Sequence, residues 1–318
     1  MSFMARPLSD LLGAELTGLD ARLAGSPPIQ ESLGAALFRH QVLAIRDQVL
    51  TPQQFVAFAR NFGELEPFFT NAYSLPDCPE IYVLSNVRRA GRPIGRDGAG
   101  THWHSDHTFQ REPAIATLLY AVDVPEQGGE TLFADMYAAY EALPEGEKRR
   151  LAGRRAIHRY QKKEHLYTAD PAQAAADREG IDRLRALRRQ EEAAAGLPAA
   201  GLPAAGLSAA GPPPPPKAPM PDQRHPVVRT HPVTGRKALY LNDEMTVGID
   251  GMPDGEAVEL LHRLCVEATR PEHVFRYRWR RGDIIIWDNP SVLHAATYTD
   301  PAQPRTLYRL TIKGPEPC

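Results

Sequence analysis

Three histidines and an aspartate fall within six residues in Thr101-His102-Trp103-His104-Ser105-Asp106-His107. The chain has only 11 histidines in 318 residues, so this density asks for a chemical reason. On an extended strand, residues i and i+2 face the same side, which lets His104 and Asp106 offer an imidazole nitrogen and a carboxylate oxygen to one point. His102 would share that face and His107 would not. A divalent cation held between them is the economical reading; a surface histidine that happens to lie near an acid is the ordinary one. A third donor lies far downstream. In residues 282–294 (GDIIIWDNPSVLH) an apolar strand runs into a turn, and His294 follows it. Two histidines and one carboxylate form the facial triad of non-haem iron oxygenases, which leaves positions open for co-substrate and oxygen. Zinc on the same ligands would favour hydrolysis, and the triad alone does not separate the two.

The discriminating residues are Arg305 and Arg309. A separation of four on a strand puts both side chains on one face, about 13 Å apart. A guanidinium fork binds a carboxylate at two points, so each arginine can hold one acid group near the metal. An oxygenase that consumes a dicarboxylic keto acid needs such a clamp, and a zinc hydrolase does not.

The elements that must position these residues change character along the chain. The first hundred residues read as mixed α/β. A helix is expected over 28–38 and a short apolar strand over 42–45. Thr51-Pro52-Gln53-Gln54 has a capping threonine, a proline at the first helical position and a glutamine to complete a capping box. Phe55, Phe58, Ala59 and Phe62 then recur at helical spacing, and Gly63 marks the stop. Beyond residue 100, short strands are expected at 115–122, 131–133, 156–160, 227–230, 238–241, 274–279, 284–287 and 306–312. In 274–279 aromatic residues alternate with arginines, as on a strand wet on one face, whereas 284–287 is apolar throughout, as in a centrally buried strand. A helix with Asp254 as its cap is expected at about 254–268. Many short strands of this kind suggest a sandwich or jelly roll. Residues 170–224 stand apart: a five-residue Ala/Gly/Leu/Pro repeat and five consecutive prolines cannot bury enough apolar surface to offset their ordering. They read as a flexible insertion, with a charged helix at 177–192 and a position from which it could border the site as a lid.

Lysine plus arginine (37) balances aspartate plus glutamate (39), so no overall field recruits nucleic acid or an anionic membrane. Cys78, Cys265 and Cys318 are odd in number and scattered, which points to reduced thiols rather than disulfides or a zinc knuckle. No signal peptide or spanning segment is legible, and the expectation is a soluble, cytoplasmic protein.

The chain resembles the taurine dioxygenase/2,4-dichlorophenoxyacetate dioxygenase (TauD/TfdA) family of Fe(II)/2-oxoglutarate oxygenases. The likeness runs through residues 13–20 (GAELTGLD), 40–66, Trp103-His104-Ser105-Asp106, Gly128-Gly129-Glu130-Thr131-Leu132-Phe133, residues 225–232 (HPVVRTHP), Trp287-Asp288-Asn289 and the tail with His294, Arg305 and Arg309. It implies one α+β, mainly β domain over 1–318, interrupted by the insertion, with a double-stranded β-helix (jelly-roll) core and flanking helices. It implies iron on His104, Asp106 and His294, and 2-oxoglutarate held by Thr131 and Arg305. Fe(II), 2-oxoglutarate and O2 would be the cofactors. Arg309 would meet an anionic group of the prime substrate, or else pack on a carboxylate. Taurine-specific members carry a histidine shortly after the FGxL motif; here residues 66–71 read EPFFTN. That puts taurine in doubt and suggests a more apolar, even aromatic, substrate body, with Phe68, Phe69 and Tyr73 as pocket candidates and His102 beside them. His102 and His107 are read as neighbours of the site rather than ligands. The expected reaction is hydroxylation of an unactivated C–H bond of a small anionic molecule, with release of succinate and CO2. Because Asp106 is present, no ligand position is vacated for halide. Desaturation, epimerisation or isonitrile formation at the same site, and a non-catalytic metal-binding interaction protein, are the competing readings. The expected partner is a small-molecule substrate, with no nucleic acid or membrane, and family members commonly form homo-oligomers.

Overall fold

Alternation along one strand explains how the molecule is layered. In Ile284–Asp288 every residue is buried. Ile284 and Ile286 pack with helix residues Leu33, Leu37, Phe55 and Phe58. Ile285 and Trp287 pack on the other side with Phe133, Phe275 and Val292. Neighbouring strands divide the same way, with Leu43 and Leu118 toward the helices and Ala44 and Leu119 toward the second layer. The period of two therefore gives a sheet covered by helices on one face and by a smaller sheet on the other.

In this computed structural model, residues 3–23, 25–68, 72–160, 220–242 and 245–318 are described. The large sheet has eight strands in the order Met4–Pro7, Ala14–Thr17, Val42–Ile45, Ile284–Asp288, Ala116–Asp123, Thr306–Ile312, Cys78–Ser85 and Ser74–Leu75. Ala14–Thr17 runs parallel to Val42–Ile45, and the other neighbours are antiparallel. The small facing sheet has the order Val274–Tyr277, Thr131–Asp135, Val292–Ala296. Its outer residues Leu132, Ala134, Leu293 and Ala295 meet the helix Asp254–Ala268 through Leu260, Leu261 and Leu264.

The first two helices follow their sequence signals. Pro27–His40 opens on two prolines and buries Ile29, Leu33 and Leu37. Pro52–Ala59 has the reciprocal Thr51/Gln54 capping box. It tightens at Arg60–Phe62 into a 3-10 turn before Gly63, so Phe62 lies beyond the α-helix. Asp254 is the first helical residue rather than the cap, which is Pro253; with Glu256 it places negative charge in the first turn, where the helix dipole favours it. The strand expected at 156–160 ends at His158. Gln223–Pro226 pairs with Arg155–His158, so the last two residues assigned to the insertion belong to a strand. Residues 170–219 of the expected insertion, including the helix expected at 177–192, lie outside the described residues. Strands Cys78–Ser85, Thr246–Ile249 and Val292–Ala296 were not anticipated. Among the described residues no helix is long and apolar enough to cross a membrane.

The Gln223–Pro226 and Arg155–His158 pairing buries two histidines, with His225 and His158 rings 5.2 Å apart. His225 Nε2 lies 3.0 Å from the Thr108 carbonyl and 2.9 Å from that of Gln110, so it carries the proton and the ring is neutral. Burial pushes His225 down to about 4. Its folded-state value lies below the unfolded one, so protonation favours the unfolded chain. Its stabilising contribution is therefore full above pH ~6.5 and is lost as pH falls toward 4. We expect the wild type to lose about 2 kcal/mol more stability than His225→Gln between pH 7 and 5. Urea unfolding of both proteins at the two pH values checks this, and parallel losses would contradict it.

Candidate metal centre

The small sheet presents His294. In Val292–Ala296 it stands opposite Phe133, on the inner face, with the Trp287 ring centroid 4.5 Å from its own. The strand expected around His104 is reduced to one residue. His104 and His294 form an isolated antiparallel bridge, N–H to carbonyl in both directions at 3.0 and 2.8 Å. The chain then turns, with His107 at φ 58°, a left-handed position that histidine tolerates better than most side chains. The bridge is a main-chain device, and it sets the two imidazoles with centroids 4.1 Å apart.

The ligand atoms converge. His104 Nε2 lies 3.7 Å from Asp106 Oδ1, and His294 Nε2 lies 3.7 Å from Asp106 Oδ2. One donor atom from each residue falls within 4.8 Å of the others. His104 Nδ1 lies 2.7 Å from the His102 carbonyl, which can only accept, so the proton sits on Nδ1 and the Nε2 lone pair faces the carboxylate. For Asp106, burial favours the neutral acid, but its charged surroundings, the Arg309 guanidinium foremost, outweigh it and hold the carboxyl well below the usual range. Burial, aided by His104, pushes His294 well down. An anionic carboxylate and two neutral imidazole lone pairs around one point fit a divalent metal, and this donor set is that of an iron facial triad.

An open cavity of about 440 Å³ adjoins the three ligands and is also lined by Thr131, Arg305, Arg309, Leu119 and Trp287. Gly100 lines it too, at φ +76°; a Cβ there would lie 3.4 Å from His104 Cε1, so the absent side chain keeps that edge open. Thr131 Oγ1 accepts from Trp279 Nε1 at 3.0 Å, which leaves its own hydroxyl proton free to donate. The Arg305 Nε is buried without a hydrogen-bond partner, and burial lowers this guanidinium to about 10, still cationic at neutral pH. A Cβ at Gly129 (φ +67°) would come within 3.1 Å of Arg305 Cδ, which gives the Gly-Gly-Glu turn a steric reason. Neighbouring space of about 500 Å³ shares Arg305, Leu84, Ala99 and Ala296 with the first cavity.

The two arginines do face one cavity, although Arg305 precedes Thr306–Ile312 and the register shifts between Thr306 and Leu307. Arg309 Nη2 lies 2.8 Å from Asp106 Oδ1, so of its two anticipated partners the structure supplies a carboxylate of the site itself. The Arg309 guanidinium also lies 5.5 Å from the Phe68 ring centroid. Phe68 packs on Tyr82 in a tilted contact at 4.1 Å, and Tyr73 meets Tyr82 edge-on at 6.0 Å. Phe68 thus stands beside Arg309, and Tyr73 is one ring further out; neither is among the residues lining the two cavities. Phe69 lies outside the described residues. His102 serves through its carbonyl, and His107 Nδ1 lies 3.2 Å from Glu66 Oε2. Trp279, Leu119 and Gly100 are cavity or support residues that the sequence reading missed. The aromatic alternation at 275, 277 and 279 was a signal for the first.

With this arrangement in view, comparison with known proteins gives a consistent answer. Residues 5–311 match the family described as "Taurine catabolism dioxygenase TauD, TfdA family", and the chain belongs to it. It is 34% identical, over 98% of each chain, to an alpha-ketoglutarate-dependent 2,4-dichlorophenoxyacetate dioxygenase of Cupriavidus pinatubonensis. The fold is similar to that of a taurine dioxygenase crystal structure from Burkholderia xenovorans (TM-score 0.72, 29% identity, covering 100% of this chain and 93% of that one). It is also similar to AAD-2 in complex with Mn(II) and N-oxalylglycine (TM-score 0.69, 28% identity, covering 100% and 99%).

Proposed function

We propose that the protein hydroxylates an unactivated C–H bond of a small anionic organic molecule with an apolar body, coupled to conversion of 2-oxoglutarate and O2 to succinate and CO2. As a member of its family the chain is an Fe(II)/2-oxoglutarate-dependent dioxygenase. The observation that carries the finer reading is the meeting of His104, Asp106 and His294 with Thr131, Arg305 and Arg309 around one cavity. The chemistry supplied by the bound iron is O2 activation coupled to oxidative decarboxylation of the keto acid. His104, Asp106 and His294 would hold it. Arg305 and the free proton of Thr131 would hold the distal carboxylate of 2-oxoglutarate, an anion entering beside a buried cation with an unpartnered Nε. Arg309 keeps Asp106 ionised and, lining the same cavity, also offers its charge to an anionic group of the substrate. Leu84, Leu119 and Trp287 on the wall of that cavity favour an aromatic or other apolar body, as in the aryloxy acid named for the Cupriavidus relative.

The two facing sheets support a double-stranded β-helix core, and we read 1–318 as one such domain interrupted near 170–224. Three cysteines standing as free thiols support a cytoplasmic setting. The experiment is a screen of succinate release against aryloxy acids, sulfonates, sulfate esters and amino-acid-like metabolites, with product mass measured. Turnover with an added oxygen atom on an aryloxy acid or similar apolar anion is expected. A strong preference for small sulfonates such as taurine would overturn the substrate reading. In Arg309→Gln, the KM for that anionic substrate is expected to rise roughly tenfold or more. Steady-state kinetics on the anion and an uncharged analogue check this: an equal change for both would remove Arg309 from substrate recognition.

A further inference from the structure

We infer that Thr117 and Asn289 are a positioning pair that fixes the rotation of the Asp106 carboxylate for metal binding. The inference rests on the assignment of Asp106 as a metal ligand.

Asn289 follows the strand Ile284–Asp288 and is 1% exposed. Its Oδ1 accepts from two N–H groups, Asp106 N at 3.2 Å and Trp287 Nε1 at 3.0 Å. Two donors on one atom settle which end of the amide is oxygen. Nδ2 therefore points the other way and donates to Thr117 Oγ1 at 2.9 Å. That bond occupies the hydroxyl as an acceptor, so its proton goes to the remaining partner, Asp106 Oδ2, at 2.6 Å. The amide thus dictates the direction of the hydroxyl, and the hydroxyl dictates which carboxylate oxygen is engaged.

The backbone of Asn289 is tied as firmly. Its N–H donates to the Ile115 carbonyl at 3.0 Å, and its carbonyl accepts from Ser105 Oγ at 2.8 Å. One residue therefore joins the metal-ligand turn, the start of strand Ala116–Asp123 and the end of strand Ile284–Asp288. The residue before it is anchored too. His231 Nδ1 accepts from the Val233 and Thr234 N–H groups, so Nε2 carries the proton and donates to Asp288 Oδ1 at 3.1 Å.

The consequence for Asp106 is an asymmetry between its oxygens. Oδ2 receives a hydroxyl proton from Thr117, which is wholly buried and held on its other side by Asn289 Nδ2. Oδ1 faces His104 and is held by Arg309, a long side chain that borders the cavity. Oδ1 faces His104 Nε2 and Oδ2 faces His294 Nε2, each at 3.7 Å, so the fixed donor holds the carboxylate in the rotation that turns it toward both histidines, the orientation in which the three residues would hold a metal. The Asn of Trp287-Asp288-Asn289 thereby acquires a role through another residue, without touching the metal.

The test is Mn(II) titration of the full-length protein, followed by electron paramagnetic resonance, for wild type, Thr117→Val, Thr117→Ser, Asn289→Ala and the Thr117→Val/Asn289→Ala double variant. Thr117→Val is nearly isosteric and removes only the hydroxyl, and Thr117→Ser restores it. We expect Thr117→Val and Asn289→Ala each to weaken Mn(II) binding roughly 10- to 100-fold. Thr117→Ser should bind within about threefold of wild type, and the double variant should be no weaker than Asn289→Ala alone, because both losses act through one proton. If Asn289→Ala does not fold, the valine and serine variants decide the matter. Thr117→Val binding Mn(II) like wild type, or Thr117→Ser binding as weakly as valine, would overturn the inference. A wild type that binds no Mn(II) would overturn the metal assignment itself, which is a separate outcome.

Discussion

A His104→Ala protein is expected to fold, because the bridge to His294 is made by main-chain groups that alanine keeps, and to lose both metal and turnover. The imidazole borders the cavity, so its removal enlarges an existing space rather than opening a new one in the core. What goes is one of three donors, and the remaining Asp106/His294 pair is a much weaker chelate. Loss of a partner that merely orients a ligand costs 10- to 100-fold, and loss of the ligand itself should exceed that. Succinate release and bound iron, measured on the same preparation beside a thermal melt, check this. Retention of full activity would reject His104 as a ligand.

The second large effect concerns Arg305. Without a bound anion its charge is buried with an unpartnered Nε, and the Asp97 charge only partly offsets that burial, a costly arrangement for the free protein. Arg305→Leu should therefore melt no lower than wild type, and it should raise the KM for 2-oxoglutarate by roughly 30-fold or more, the equivalent of about 2 kcal/mol or more for one side of a buried charge pair. Arg305→Lys keeps the charge but not the two-point fork, and should fall between them. Metal affinity should be unchanged in both, since Arg305 makes no contact with the three ligands among its hydrogen bonds and ion pairs. A KM within twofold of wild type for Arg305→Leu would place the co-substrate carboxylate elsewhere.

How much of this was legible beforehand depends on whether the signal was local. The Thr51/Gln54 capping box and the four buried residues at 284–287 could be read directly, because capping and burial leave marks within a few residues. Strand Val292–Ala296 could not: Asn-Pro-Ser before it looks like a turn, and a five-residue strand with a histidine at its centre has no alternation to show. The ligand trio was found from residue type, yet the expected strand at His104 was one bridge followed by a left-handed turn, a geometry set by a partner 190 positions away. Arg305 and Arg309 were placed on one face by counting, and they do share a cavity, although a register shift intervenes. The Arg309–Asp106 ion pair, the Trp279–Thr131 bond and the Thr117–Asn289 relay depend on tertiary approach alone, and no spacing rule reaches them. Phe68 and Tyr73 carried an aromatic signal that proved to be a ring cluster around Tyr82 beside Arg309 rather than cavity wall.

The central claim, one metal site completed by 2-oxoglutarate, is tested most directly by anaerobic titration of the full-length protein with Fe(II) and then 2-oxoglutarate. A visible absorption band should appear only when both are present, saturate at one equivalent of each, and be absent in His104→Ala. In Arg305→Leu the band should form only at much higher 2-oxoglutarate. A wild-type protein that binds Fe(II) but develops no band with saturating 2-oxoglutarate would contradict it.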